Sequence, residues 1–296
     1  MLTQILPVGE EISQWICPFR TYNNEFKTVL VPFALSSPEV LDALFAASFH
    51  RLAYYGRSEF NAKAETFKSS AITGLMNGSG QIPKSEYHQL AAIAVVIVLI
   101  YDDMISAQDY FRNLTPVLVH LITTVDLKSA RNQTLARFLE EQLGLLLILV
   151  LPYMAPDDKT VDKIYRFLEK FAMADGGHKS RPSLAFCLRQ SVTVWLRKVK
   201  DPNADVDGIL EDMRWRLEYS PDLPSFDHYL TWVYFNCAAS ASKKTLRDFF
   251  TCRLNWHTTT FGFKNVSLMV DFLQVLWENE QTWPSLIQFH NEYICA

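Results

Sequence analysis

The chain has 296 residues, 49% of them hydrophobic and 20% charged, enough to bury one large core or two closely packed halves and too apolar for a disordered chain. Its formal charge of -4 excludes the broad basic field of a nucleic-acid-binding domain, so no direct sequence-specific DNA binding is expected. Basic runs such as residues 197–200 (RKVK) read as solvated helix faces. Cys17, Cys187, Cys237, Cys252 and Cys295 contain no C-x2-C pair, which leaves no zinc cluster or disulfide framework and fits reduced thiols.

The opening MLTQILPVGEEISQW has neither a basic start nor a long apolar run, so no secretory leader is read there. Residues 1–35 carry Pro7, Pro18 and Pro32 and are expected as an extended or turn-rich arm. Residues 36–296 are expected as a single all-helical domain. Ser36, Ser37, Pro38 and Glu39 mark a helix start, with serine as cap, proline in the first turn and glutamate at the positive dipole end. This helix is expected to run to about residue 55 and stop at Gly56. A second covers about residues 62–76. The third, about residues 84–106, is apolar on all sides through LAAIAVVIVLIY and must be enclosed by other helices. Further helices are expected over about residues 108–124, 129–151, 158–174, 182–200, 204–218, 225–239, 242–256 and 264–278. The fold class is therefore all-α, an irregular multi-helix array around a buried central helix. The apolar runs 90–101 and 143–151 fall short of the roughly 20 residues needed to span a bilayer. An intracellular location, cytoplasmic or nuclear, is expected, with no membrane span.

Three sets of residues interrupt the apolar pattern. Asp102 and Asp103 end the third helix, but the position three further on is Ser106, and acid returns only at Asp109. That spacing does not build a diphosphate-binding magnesium site and reads better as a helix-end or buried-polar pair. His50 and Arg51 sit close to Tyr54 and Tyr55, where a histidine can move a proton and a tyrosine can hold a carbonyl. No carboxylate partner for His50 is visible in the sequence around it. Tyr229, Trp232 and Asn236 follow at spacings of three and four, an aromatic face with one amide, and His257 ends the next helix. Such a face suits an apolar pocket with one orienting hydrogen bond, although an aromatic stripe is more often ordinary core. The candidate catalytic residues are thus His50, Asn236 and His257, and the candidate substrate-binding residues Tyr54, Tyr55, Trp232 and Tyr229. No nucleophile elbow, phosphate loop, dinucleotide fingerprint or H-E-x-x-H is present, so no cofactor and no metal are expected.

The segment NNEFKTVLVPFALSSPEVLDALFAASFHRLAYYG, residues 23–56, resembles the opening of the fungus-specific transcription factor domain. The helix with Phe67, Lys68 and Ala71 is similar to that family's second helix, and HQLAAIAVVIVLIYDDMISAQDYFRNLTPVLVHLI to its third and fourth. Asp102, Ser106 and His120 stand at places where the family carries an acid, a small polar turn and a histidine. YLTWVYFNCAASASKKTLRDFF and NVSLMVDFLQVLWEN, with Trp277, resemble its closing helices. The resemblance implies an all-helical regulatory domain that in some members accepts a lipophilic ligand, here without the zinc-cluster head, and it supplies no catalytic residue.

Two functions are compatible with these features. One is a secondary-metabolism enzyme derived from the regulatory domain, folding a lipophilic intermediate for cofactor-free cyclisation or isomerisation, for example a Diels-Alder reaction, by holding it in a reactive shape. The other is a ligand-responsive regulator acting through a DNA-binding partner. The expected partners are a lipophilic small molecule and, besides it, a protein partner or a second copy of the chain.

Overall fold

The computed structural model describes residues 25–54, 56–78, 85–106, 111–150, 166, 182–219, 230–261 and 264–278. Their regular elements are helical, and no strand occurs among the described residues. The chain divides into two compact units, one up to Leu146 and one from Leu147. The helix expected over residues 158–174 lies outside the described residues.

The first unit opens with a π-helical turn, Phe26–Leu30, continuing into α1, Val31–Ala34. The sequence suggested an extended arm here. Pro32 instead stands where the π-helical turn passes into α1, and Phe26, Leu30 and Ala34, four residues apart, are all buried. α2 spans Pro38–Tyr54, α3 Asn61–Gly78, α4 Glu86–Ser106, α5 Phe111–Thr124 and α6 Gln133–Val150. The start of α2 differs in detail from the expected serine cap. Ser36 Oγ donates back to the Phe33 carbonyl at 2.8 Å, and the Ser37 hydroxyl is buried without a hydrogen bond.

α2 ends where glycine permits it. Gly56 has φ +89°, its N–H bonds the Ala53 carbonyl at 3.0 Å, and the Arg57 N–H reaches back to the Leu52 carbonyl at 3.2 Å. This paired closure requires a left-handed residue at Gly56. α2 and α3 then pack closely: a Cβ placed on Gly74 would stand 3.0 Å from the Glu39 Cβ. Phe45 and Phe49 meet Phe67 at ring separations of 5.1 and 5.6 Å, and Phe60 stacks on Phe49 at 5.3 Å. α4 packs against α2, α3 and α5, and its residues 93–100 are at most 1% exposed. It is the enclosed helix that its all-round apolar sequence demands.

The second unit contains α7, Pro182–Lys200, α8, Asp207–Tyr219, α9, Thr231–Ser240, α10, Lys244–Phe261, and α11, Lys264–Glu278. α9 is its most enclosed element, packing against α7, α10 and α11. The buried carboxylate of Asp207 accepts the Ser242 and Lys243 N–H groups at 2.9 and 3.2 Å. It thereby satisfies donors at the start of α10 and ties α8 to it.

Candidate functional site

His50 is 4% exposed near the end of α2, and the structure supplies the carboxylate partner that its sequence neighbourhood lacks. Its Nδ1 lies 2.7 Å from Asp102 Oδ1 and its Nε2 3.1 Å from Glu65 Oε1. With an acceptor at each nitrogen, the imidazolium satisfies both. Burial opposes that charge, but the hydrogen bond and charge of Asp102, then Glu65, outweigh it and raise the His50 pKa. Lys68, 2% exposed on α3, donates to Asp103 Oδ1 at 2.6 Å and stands 3.7 Å from Asp102 Oδ2. The result is a buried cluster of two cations and two carboxylates joining α2, α3 and α4, with the half-exposed Glu65 at its edge.

Asp103 is the group least satisfied by this arrangement. Burial pushes its pKa up to about 7, against the pull of the Lys68 hydrogen bond and charge. The expectation of a helix-end or buried-polar role for the aspartate pair thus has a concrete form: the two carboxylates close onto Lys68 and His50. Among the described residues, no group of three or more His, Cys, Asp or Glu side chains could hold a metal ion.

The second unit treats its nominated residues in a similar way. Asn236 is fully buried, and its Nδ2 donates to the Ser191 carbonyl at 2.8 Å and contacts Ser191 Oγ at 3.0 Å, fixing α9 on α7. His257 is fully buried, with Nδ1 2.7 Å from Thr231 Oγ1 and its ring 5.3 Å from that of Tyr234. Trp232, 4% exposed, lies beside Phe235 at 6.0 Å. Tyr54 is the last residue of α2; its side chain, Tyr55 and Tyr229 lie outside the described part of the structure. His50 belongs to the first unit, and Trp232, Asn236 and His257 to the second.

An open cleft of about 660 Å³ lies elsewhere in the first unit, lined by Phe33, Leu90, Leu135 and a polar rim that includes Glu86 and Arg131. None of the residues nominated from sequence lines it. Its signals were present but dispersed: Phe33 lies in a segment expected to be extended, Tyr87 is an exposed aromatic on α4, and Arg131 precedes α6. Lys68 was the more readable omission. It occupies the buried stripe of α3 at four residues from Ala64 and three from Ala71, where a lysine requires a counterion.

The fold is that of an all-helical module whose polar residues serve largely as internal ties. Residues 10–142 match the fungal specific transcription factor domain, so a fungal transcription factor-like domain occupies this stretch of the first unit. No curated protein and no solved structure matches the chain. Among the described residues no helix is long and apolar enough to cross a membrane.

Proposed function

We propose that the chain is a small-molecule-responsive regulatory module of the transcription-factor type, and that DNA recognition is supplied by a partner or by another part of a longer protein. The observation that carries this reading is the state of the three nominated catalytic groups. His50, Asn236 and His257 are at most 4% exposed, and each is engaged by a neighbouring side chain or carbonyl. A general acid or base must reach its substrate directly or through one water. Groups enclosed in helix-to-helix hydrogen bonds are better suited to holding a responsive fold together.

The cleft favours a second reading, cofactor-free cyclisation or isomerisation of a lipophilic intermediate, since shape and a few hydrogen bonds can promote such a reaction without a nucleophile. The two readings separate on what happens to a bound molecule. Native mass spectrometry of the purified chain detects a retained ligand, and its release and re-incubation with the protein tests for conversion. The regulatory reading predicts recovery of the molecule unchanged, together with ligand-dependent reporter output when the chain is fused to a heterologous DNA-binding head. Conversion to product with no ligand-dependent output would overturn it in favour of the enzyme.

A further inference from the structure

α8 of the second unit buries Asp207, Leu210, Met213 and Leu217, a stripe at helical spacing. Its opposite face carries Gly208, Asp212, Trp215 and Tyr219, at spacings of four, three and four, and all of them are exposed. The solvent face of an amphipathic helix is ordinarily polar, yet Trp215 and Tyr219 are 63% and 68% exposed. Their rings lie 5.7 Å apart at 41°, which makes one continuous aromatic surface. Side chains of this kind bring a large contact area at little cost in conformational freedom and are enriched where proteins meet.

The other two positions of the stripe are equally unexplained by the packing of the unit. A glycine in a helix gives up more conformational freedom on folding than any other residue, and at position 208 nothing inside the unit requires one, since a Cβ there would meet nothing within 4 Å. Asp212 has no hydrogen-bond or ion-pair partner among the described residues. The charges beside the stripe are, in contrast, already engaged. Glu211 pairs with Lys243 at 3.5 Å, Glu218 with Arg214 at 3.4 Å, and the Arg216 guanidinium lies 4.3 Å over the Phe186 ring.

Gly208 and Tyr219 stand equally far from a midpoint between Met213 and Arg214, and so do Asp212 and Trp215. The stripe is therefore complementary to its own reverse: the largest ring system faces an open backbone or a carboxylate, and an indole N–H donor faces an acceptor that lacks a donor. We propose that this face of α8 docks a second copy of the chain. The two helices meet antiparallel across a two-fold axis, each Tyr219 ring over the Gly208 of the other copy and each Trp215 N–H donating to its Asp212. A parallel pairing would set Asp212 against Asp212 and leave the indole N–H without an acceptor. Glu211 and Glu218, which approach their counterparts beside the axis, bring their own cations with them. The contact needs no ligand and does not rest on the regulatory reading. One helix per copy is at the low end of specific interface sizes, so the dimer is expected to form and dissociate with concentration.

Sedimentation velocity of the full chain over a hundredfold range of concentration should show a monomer passing into a dimer. Trp215→Glu places an acid opposite Asp212 and should weaken dimerisation at least tenfold; because Trp215 is exposed, the variant should keep its fold, as far-ultraviolet circular dichroism verifies. Direction is read by cross-linking. Gly208→Cys mixed with Tyr219→Cys in oxidised glutathione should yield a disulfide between positions 208 and 219, identified by peptide mass spectrometry. Gly208→Cys alone should not link to itself at this position, since the two sites lie about 16 Å apart along an antiparallel pair, beyond disulfide reach. A chain that stays monomeric throughout, a dimer that folded Trp215→Glu leaves unchanged, or linkage of position 208 to itself in place of position 219 would overturn the proposal.

Discussion

Lys68 meets two carboxylates in a helix interface from which water is excluded, and removal of its charge leaves both acids without their shared counterion. Breaking a buried ion pair on one side costs about 3–5 kcal/mol, so Lys68→Met is expected to lower stability by that order near pH 8, as read from the urea midpoint. The loss should shrink near pH 5, because Asp103 can then be protonated. The sign follows from its pKa, raised from 3.8 to about 7 on folding. The folded chain holds this proton more tightly than the unfolded chain, so the contribution of Asp103 is full below its unfolded value and is lost as pH rises towards 7. His50, raised above 6.5, acts in the same direction at the upper end of that window. Asp103→Asn keeps an acceptor for Lys68 and removes the titration. Its stability should therefore fall less than that of the unaltered chain between about pH 4 and about pH 7, by on the order of a few kcal/mol. Equal pH slopes in the two proteins would contradict the assignment. The residue types at these positions were legible in the sequence, but their pairing was not. His50 lies 52 positions from Asp102, and Lys68 lies 35 from Asp103, and only the packing of α2, α3 and α4 brings them together.

At the scale of elements, punctuation and periodicity were more informative. Pro38, Gly56 and Pro182 mark a helix start, a helix end and another start within a residue or two of their sequence-based positions, because these are local steric effects. The enclosure of α4 was equally readable, since a helix apolar on every side has no solvent face to offer. The helical turns at Phe26–Leu30 and Val31–Ala34 were obscured by Pro32, whose place in a first turn depends on where the helix begins. The cleft escaped for a different reason: its walls come from α1 and the turn after it, the start of α4, and the turn that leads into α6, and no single periodic segment contains it. Gly56 provides a clean test of helix termination. A Cβ there would meet nothing within 4 Å, so Gly56→Ala changes only the cost of its φ of +89°. A loss of about 1–2 kcal/mol is expected in chemical denaturation, with Gly56→Asn intermediate. An alanine variant of unchanged stability would contradict the left-handed closure.

Across the whole molecule, the two compact units repeat one design in which polar side chains on enclosed helices are joined to one another: His50 to Asp102 in the first, Asn236 to Ser191 in the second. In the first unit, no residue of the charge cluster lines the open cleft. The match to the fungal specific transcription factor domain covers residues 10–142, the stretch that contains both the charge cluster and every residue lining the cleft. The most direct test of the structural role of these ties is equilibrium urea unfolding of His50→Gln and Asn236→Ala, with far-ultraviolet circular dichroism on the same samples. Each substitution is expected to lower stability by about 1–3 kcal/mol, the cost of disrupting a buried hydrogen-bonded group. Variants as stable as the unaltered chain would contradict that role.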